Sequence, residues 1–225
     1  MCGRFGLTRP ERLDLARLGI TTLPPLQPRF NIAPGSEILA IREREGRRLG
    51  DLLHWGLIPY WADDPRIGDR MANARADTAF EKPAFRAAMR ARRCLIPADL
   101  FYEWQAIPGR KQKQPFAVRL KDREPFALGG LWEYWRPKEG GTGVASCTIL
   151  TTDPNSLLRP IHDRMPVIIA SHRYRSWLDP RTPVPAIKDM LQSFESDGME
   201  AWPIGLRVNK PEEDDEGLLA EQTVT

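Results

Sequence analysis

A cysteine stands directly behind the initiator methionine, in the N-terminal sequence MCGRF. Aminopeptidases remove Met1 when the next side chain is small, and the side chain of cysteine is small. We therefore expect a mature chain that begins with Cys2 and carries a free α-amine beside its thiol. Both groups titrate near neutral pH, because an α-amine has a pKa of roughly 7.7–8.0 and a thiol one of about 8.5.

Three interpretations of Cys2 follow from its position. Its amine can condense with an aldehyde to an imine, which the adjacent thiol closes to a five-membered thiazolidine ring because it is already held in place. Alternatively, the thiol can attack an amide with the amine as its base, as threonine does in N-terminal nucleophile hydrolases. In the third interpretation Cys2 is a small buried residue without chemistry.

Polar residues interrupt otherwise apolar segments further along the chain. Asn73 and Arg75 lie in NARAD, and Glu103 lies between two aromatic residues in FYEW. His162 and Arg164 precede an apolar run in IHDRMPVII, and in an extended segment residues two apart point to the same face. A glutamate in an apolar cleft has a raised pKa. These residues are candidates for acid–base chemistry and phosphate binding; the alternative for each is a solvated or structural role.

The elements that must position these residues are short. A hairpin is expected over 37–43 and 49–56, and the spacing of Thr8 with Glu11 and of Thr78 with Glu81 predicts two helix starts. Further strands are expected over 94–104, 115–120, 125–135, 144–152 and 198–209, and further helices over 171–178 and 186–194. This irregular order predicts an α+β single domain with a curved, barrel-like, mostly antiparallel β-sheet core flanked by short helices.

Composition indicates an ordinary globular protein, with 225 residues of which 41% are hydrophobic and 28% charged. No apolar run reaches bilayer length, so we expect no membrane partner. Three widely spaced cysteines form neither a disulfide framework nor a metal-binding pattern, which predicts a cytoplasmic protein without a metal. There is no glycine-rich phosphate loop, and we expect no cofactor.

The net charge of +3 conceals an acidic C-terminus. Residues 211–225 contain six acidic residues and no Lys or Arg, so residues 1–210 carry 33 basic and 24 acidic residues. A basic body of this kind suits a polyanionic partner, although a solvated surface is the plainer explanation. We expect residues 1–209 to form the folded domain and 210–225 to form a disordered acidic tail.

Seven segments resemble, in this order, the SOS-response-associated peptidase (SRAP) family, whose members are also called abasic site processing proteins. They are MCGRF, NIAPG (31–35), WGLIPYW (55–61), NARAD (73–77), RRCLIPADLFYEW (92–104), QPF (114–116) and IHDRMPVII (161–169). The resemblance spans residues 1 to about 209 and leaves only the acidic tail outside.

The resemblance implies a DNA repair protein that crosslinks itself to abasic sites in single-stranded DNA. An abasic deoxyribose is partly open to an aldehyde, which is the electrophile that an aminothiol traps. Cys2 would supply the amine and thiol, and Asn73 would hold the amine or the sugar. Glu103 would relay protons, and His162 would act as acid or base in opening the sugar.

The resemblance also implies how DNA is held and which side reactions occur. Arg4, Arg75 and Arg164 would bind phosphates, while Tyr60 and Trp61 would stack on bases. Abasic-site lyase activity and removal of a peptide preceding Cys2 are further implied activities. We expect a monomer that associates with the nucleoid when bound to DNA. The alternatives are a cysteine-type peptidase or amidase with Cys2 as nucleophile, and a non-covalent nucleic-acid binder.

Overall fold

The structure, a computed structural model, describes residues 2–223. Within this range the strands are β1 (Phe5–Leu7), β2 (Arg29–Ile32), β3 (Glu37–Arg44), β4 (Arg47–Trp55), β5 (Asn73–Arg75), β6 (Arg93–Ala98), β7 (Leu100–Gln105), β8 (Gln114–Leu120), β9 (Phe126–Trp135), β10 (Val144–Thr152), β11 (Met165–Pro166), β12 (Ile168–Ile169) and β13 (Met199–Pro203). The α-helices are α1 (Leu15–Leu18), α2 (Arg86–Ala91), α3 (Tyr174–Leu178) and α4 (Val184–Asp189). Short 3-10 helices cover Pro10–Arg12, Pro65–Arg70, Ser171–Arg173, Ser196–Gly198, Leu206–Asn209 and Glu216–Leu219.

Five strands close into a barrel. β10 pairs with β4, β4 with β3, β3 with β6, β6 with β9, and β9 again with β10. Only the β4–β10 pair is parallel in this ring. The wall is tight at Gly130 of β9, where a Cβ atom would lie 2.9 Å from Cys94 Sγ and 2.9 Å from the Thr148 carbonyl oxygen. A larger residue there would force β6 and β10 apart.

A second, fully antiparallel sheet carries the N-terminus. Its strand order is β13–β8–β7–β1–β2. Phe5 of β1 pairs with Phe101 of β7, and the backbone N–H of Tyr102 donates to the Arg4 carbonyl oxygen at 3.1 Å. Because β1 and β7 are antiparallel, the residues before β1, including Cys2, run beside the second half of β7.

Two short strands, β5 and β11, pair with the end of β10. β5 pairs in parallel with β10, so that Asn73 lies opposite Ile149 and Arg75 opposite Thr151. On its other edge β10 pairs with β11, which directly follows the segment containing His162. The end of β10 is therefore flanked by the two segments that carry predicted site residues.

These observations confirm the predicted α+β domain with a barrel-like, mostly antiparallel core and short helices. The predicted hairpin is β3–β4, joined by Glu45 and Gly46, whose φ angles of 54° and 75° suit a two-residue hairpin turn.

The segment 94–104, predicted as one strand, is two strands in different sheets, β6 and β7. Asp99 lies at the junction, where its carboxylate accepts the backbone N–H groups of Thr8 and Arg9.

The two predicted helix starts are also displaced. The Thr8 side chain donates to Asp99 at 2.9 Å, and α1 is instead capped by Asp14, whose side chain accepts the Arg17 N–H at 2.9 Å. The helix expected after Thr78 begins only at Arg86, because residues 78–85 form turns. Side chains with capping chemistry are used here for tertiary or turn contacts.

The acidic segment 210–223, for which a disordered tail was expected, makes specific contacts with the rest of the domain. The Asp214 carboxylate accepts from Arg29 Nε at 2.7 Å and from the backbone N–H groups of Phe30 and Asn31. The Asn31 amide in turn donates to the carbonyl oxygens of Val208, Lys210 and Glu213. The segment folds because its acidic side chains find backbone donors and arginines, and because Leu218 is buried. Val224 and Thr225 lie outside the described residues.

Two further searches concern residues 2–223. No helix in this range combines the length and apolar composition needed to cross a bilayer. No group of three or more His, Cys, Asp or Glu side chains in this range is placed to hold a metal ion.

Candidate active site

The two sheets meet at Cys2. Its side chain is fully buried, and its Sγ lies 3.8 Å from the carbonyl oxygen of Arg4. From the barrel side, Asn73 Nδ2 donates a hydrogen bond of 2.9 Å to the Cys2 carbonyl oxygen. From the second sheet, β7 brings Glu103 beside Cys2 through the β1–β7 pairing. Residues far apart in sequence thus converge on the start of the chain.

Glu103 is buried in an environment that favours its protonated form. Only 1% of its surface is exposed, and burial raises the pKa of its carboxyl group to about 7. Near neutral pH this group is therefore able both to donate and to accept a proton. Burial, followed by the negative charge of Glu103, raises the pKa of the Cys2 thiol, which consequently remains protonated at neutral pH.

His162 lies on the other side of Glu103, with its Nε2 atom 3.9 Å from Glu103 Oε2. The backbone N–H of Arg164 donates to His162 Nδ1 at 3.0 Å, which leaves the proton of the neutral ring on Nε2. Burial lowers the pKa of His162, against the opposing effect of the Asp163 carboxylate 2.9 Å from Nδ1. The imidazole is therefore neutral at neutral pH and directs an N–H group towards Glu103.

The segment that carries His162 is held at both ends. Before it, Gln105 Nε2 at the end of β7 donates to the Pro160 carbonyl oxygen at 2.9 Å. After it, Arg164 donates to the carbonyl oxygen of Thr151 and to Asp153 Oδ1, both at 2.6 Å. These bonds connect both sheets to the histidine and fix its position relative to Glu103.

The three predicted phosphate-binding arginines differ in accessibility. Arg4 is half-buried and donates to the Gly3 carbonyl oxygen at 2.9 Å. Arg75 is exposed and forms an ion pair of 2.7 Å with Asp77, whose pKa it lowers. Only 7% of the Arg164 side chain is exposed, and it lies 3.8 Å from Asp77 as well. Arg75 thus presents the most accessible guanidinium, whereas Arg164 is mainly engaged in holding the His162 segment.

Several buried polar atoms around this site have no hydrogen-bond partner among the described residues. They are Arg4 Nε, Asn73 Oδ1, Thr151 Oγ1 and Arg164 Nε. An unsatisfied buried polar group costs about 1–3 kcal/mol, so folded proteins seldom keep several in one place. Their presence together indicates a site built to receive a polar ligand. Thr151 was not identified from the sequence, because a threonine in a buried strand carries no distinguishing signal.

The predicted base-stacking residues lie on an exposed but well-anchored loop. Tyr60 and Trp61 are 61% and 46% exposed. The loop is fixed on each side of them, because the Ile58 N–H donates to Ser146 Oγ at 2.8 Å and Trp135 Nε1 donates to the Ala62 carbonyl oxygen at 2.7 Å. The same loop leads into β5 and Asn73. Two large aromatic rings are therefore held in solvent on the connection that enters the site.

Comparison with known proteins places this arrangement in a family. The family model described as SOS response associated peptidase (SRAP) matches residues 1–211. The abasic site processing protein YoaM of Bacillus subtilis is 42% identical over 224 residues, which cover 97% of each chain. The abasic site processing protein YedK of Escherichia coli is 32% identical over 184 residues, which cover 79% of each chain.

Solved structures agree with this relationship. A crystal structure of a Bacteroides thetaiotaomicron protein superposes with a TM-score of 0.80 at 28% identity, covering 88% of this chain and 87% of that one. A Bordetella bronchiseptica protein gives a TM-score of 0.76 at 26% identity over 91% of this chain and 100% of its own. The resemblance identified from the seven sequence segments is confirmed: this chain belongs to the SOS response associated peptidase (SRAP) family.

Proposed function

We propose that this protein processes abasic sites in DNA and that it does so by forming a covalent adduct through Cys2. The observation that carries this proposal is the placement of a fully buried Cys2 beside Glu103, whose pKa is raised by burial to about 7, and Asn73. The relatives that are 41–42% identical are named abasic site processing proteins. Removal of Met1, which the mechanism requires, concerns a residue outside the described range.

The first step is imine formation. As the abasic deoxyribose opens to its aldehyde, the proton of the anomeric hydroxyl passes through Glu103 to the ring oxygen, and His162 Nε2–H hydrogen-bonds to that oxygen. The amine of Cys2 then adds to the aldehyde carbon, and one amine proton passes to the aldehyde oxygen. Protonated Glu103 donates to the resulting hydroxyl group, which leaves as one water, and takes back the remaining proton from nitrogen as the imine forms. The unpaired Oδ1 of Asn73 accepts a hydrogen bond from the attacking amine and orients it.

The second step closes the ring. The Cys2 sulfur adds to the imine carbon, and the thiol proton passes to the imine nitrogen, giving a thiazolidine without any change of oxidation state. The raised pKa of the thiol keeps this proton in place until addition. The adjacent position of amine and thiol makes closure an intramolecular reaction with a high effective concentration.

DNA is held in single-stranded form in this proposal. Arg75 and Arg4 bind the phosphates beside the lesion, and Arg164 contributes positive charge from its buried position. Tyr60 and Trp61 stack on bases next to the abasic site, because exposed aromatic rings bind unpaired bases without regard to sequence. The protein acts as a monomer in the cytoplasm and joins the nucleoid when it binds DNA.

Two further activities accompany the adduct. The imine permits β-elimination of the 3′ phosphate, which is abasic-site lyase activity. Cleavage of a peptide preceding Cys2 would be limited to the protein's own N-terminus. General peptidase activity is disfavoured, because attack on an unactivated amide needs a thiolate and the burial of Cys2 opposes thiolate formation, whereas the imine accepts the sulfur together with the thiol proton.

Intact mass measurement tests the proposal. The mature protein is weighed alone and after incubation with single-stranded DNA containing one abasic site. We expect loss of Met1 and a heat-stable species equal to protein plus DNA minus one water. Cys2→Ala should give at most an imine that is lost on denaturation, and DNA with intact bases should give no adduct. A heat-stable adduct on protein that retains Met1, or on Cys2→Ala at equal yield, would overturn the mechanism.

A further inference from the structure

A basic loop joins β7 to β8 immediately beyond the candidate active site. The hairpin pairs Glu103 with Phe116 and ends at the pair Gln105–Gln114, so the loop starts at residue 106, three residues after Glu103. The loop contains three cations, which we call the hairpin cations: Arg110, Lys111 and Lys113. All three are exposed.

The hairpin cations have no carboxylate partner within residues 2–223. Cationic side chains elsewhere often have a carboxylate partner, and both Arg75 and Arg164 are paired with aspartates. The positive charge of Lys113 also reaches the site. Burial dominates the pKa shifts of Glu103 and His162, and Lys113 adds a smaller contribution that lowers both pKa values. The loop is therefore an uncompensated positive charge close to the reacting groups.

An open groove of about 620 Å³ runs along this loop. The hairpin cations form one wall, and Ile204, Gly205 and Leu206 contribute to the other. Leu206 is 44% exposed and lies on this wall. Gln114 Nε2 donates to the Ile204 carbonyl oxygen at 2.8 Å and so ties the two walls together. A groove with cations on one wall and apolar groups on the other matches a DNA strand whose phosphates face the cations and whose bases face the apolar wall.

The positive surface continues from the loop towards His162. Gln105 bonds to the Pro160 carbonyl oxygen, and the preceding residue, Arg159, is exposed and has no ion-pair partner in the described part of the chain. Arg159 therefore lies between the base of the hairpin and the His162 segment. A strand leaving the active site on this side would meet the positive charges of Arg159 and the hairpin cations, beside the exposed Asp163 carboxylate.

We propose that the hairpin cations bind the phosphate backbone of the same DNA strand whose abasic site is held at Cys2, at nucleotides beyond those that reach Arg75. This inference rests on the proposed function and adds a second, lesion-independent contact to it. Charge complementarity selects the occupant, since the groove offers cations and no acidic side chain among its lining residues. The contact would supply affinity for single-stranded DNA in general and not recognition of the lesion.

The test is the salt dependence of binding to a single-stranded oligonucleotide with intact bases, followed by fluorescence anisotropy. The variant Arg110→Gln, Lys111→Gln, Lys113→Gln is compared with wild type. The matched control is Arg86→Gln, Arg90→Gln, Arg175→Gln, which removes three exposed cations from α2 and α3. Loss of three phosphate contacts should lower the slope of log K against log salt by about 2 and weaken binding at 0.1 M salt at least roughly tenfold. The control should leave the slope unchanged.

Equal slopes for wild type and the hairpin variant, or an equal loss in the control, would overturn this inference. The double variant Arg110→Gln, Lys111→Gln retains Lys113 and so leaves the charge near Glu103 intact; its slope should fall by about 1.4. Adduct formation by wild type on abasic DNA is measured in parallel. Absence of that adduct defeats the proposed function, whereas adduct formation with unaltered salt slopes defeats only the role of the hairpin.

Discussion

The side-chain amide of Asn73 anchors Cys2, with Nδ2 donating to the Cys2 carbonyl oxygen at 2.9 Å. This bond connects β5, which belongs to the barrel, to the segment that runs beside β7 of the second sheet. Its effect is to hold the backbone of Cys2. In the proposed mechanism Cys2 carries both reacting groups, so this hydrogen bond positions them before the reaction.

Replacement of Asn73 by alanine should therefore slow adduct formation. We expect a loss of roughly a hundredfold at saturating DNA, comparable to losing a positioned catalytic hydrogen bond, with a stability cost of about 1 kcal/mol. Single-turnover kinetics with abasic single-stranded DNA measure the rate. Asn73→Asp retains the size and an acceptor but loses the donor, and should also be slow. Wild-type rates in both variants would contradict the anchoring role.

Burial of Glu103 should make the protein less stable as the pH rises. The folded-state pKa of about 7 exceeds the ordinary 4.5, so the folded state holds a proton that the unfolded state has lost between these values. The stability associated with protonated Glu103 is full below pH 4.5 and is lost as the pH rises to 7, by about 3 kcal/mol at most. Glu103→Gln should consequently be more stable than wild type at pH 8 and equal to it at pH 4. Denaturant melts at both pH values measure the difference; an identical gain at both would assign it to packing.

The rate of imine formation should depend on the same titration. Glu103 acts as the acid that protonates the leaving hydroxyl group, so the wild-type rate should fall as the pH rises above about 7. Glu103→Gln should react slowly and lack this descending limb. The imine is trapped with borohydride in a Cys2→Ala background, which separates this step from ring closure. A descending limb that survives in Glu103→Gln would assign the acid to another residue.

Release of Arg75 from Asp77 should strengthen DNA binding. Asp77 neutralises the exposed guanidinium of Arg75, so a DNA phosphate has to displace the Asp77 carboxylate before it can bind Arg75. Exposed ion pairs are weak, so Asp77→Asn should raise the affinity for single-stranded DNA by no more than roughly fivefold. The exposed Asp197→Asn variant makes the same change in net charge elsewhere and is the control. Equal increases in both variants would show that only net charge matters.

Asp214 should be important for stability although it lies in an acidic segment. Its carboxylate accepts two backbone N–H groups and an arginine, so Asp214→Ala leaves buried donors without partners. We expect a loss of about 2–3 kcal/mol in the free energy of unfolding. Glu212→Ala, two residues earlier and exposed, should change it by less than about 0.5 kcal/mol. Similar melting curves for Asp214→Ala and wild type would contradict this role.

The sequence allowed correct predictions where a local pattern determines the structure. The β3–β4 hairpin follows from two apolar segments on either side of a turn that tolerates positive φ at Glu45 and Gly46. Local patterns failed where a side chain serves a distant partner. Thr8 was predicted to cap a helix, and Asp99 was predicted to lie within one strand. Their side chains instead form a hydrogen bond with each other, and the predicted strand is divided into two at Asp99.

The site residues were found by a different route. Cys2, Asn73, Glu103 and His162 were candidates from their residue types and local sequence, but only the family resemblance grouped them into one site, because their spacing along the chain contains no geometric information. Only the pairings of β1 with β7 and β5 with β10 bring them together. The contacts of the acidic segment could not be predicted from its composition. Charge composition describes solvation, whereas the fold supplies Arg29 and backbone donors at the position where Asp214 arrives.

The bonding between Asn31 and residues 208–213 has a consequence for biosynthesis. The ribosome releases Cys2 first, but β1 needs β7, and β2 is completed only by carbonyl groups and a carboxylate from the last part of the chain. Such distant contacts form late during synthesis. In the proposed mechanism, a nascent polypeptide would therefore lack the surroundings that activate Cys2 until most of the chain has been made.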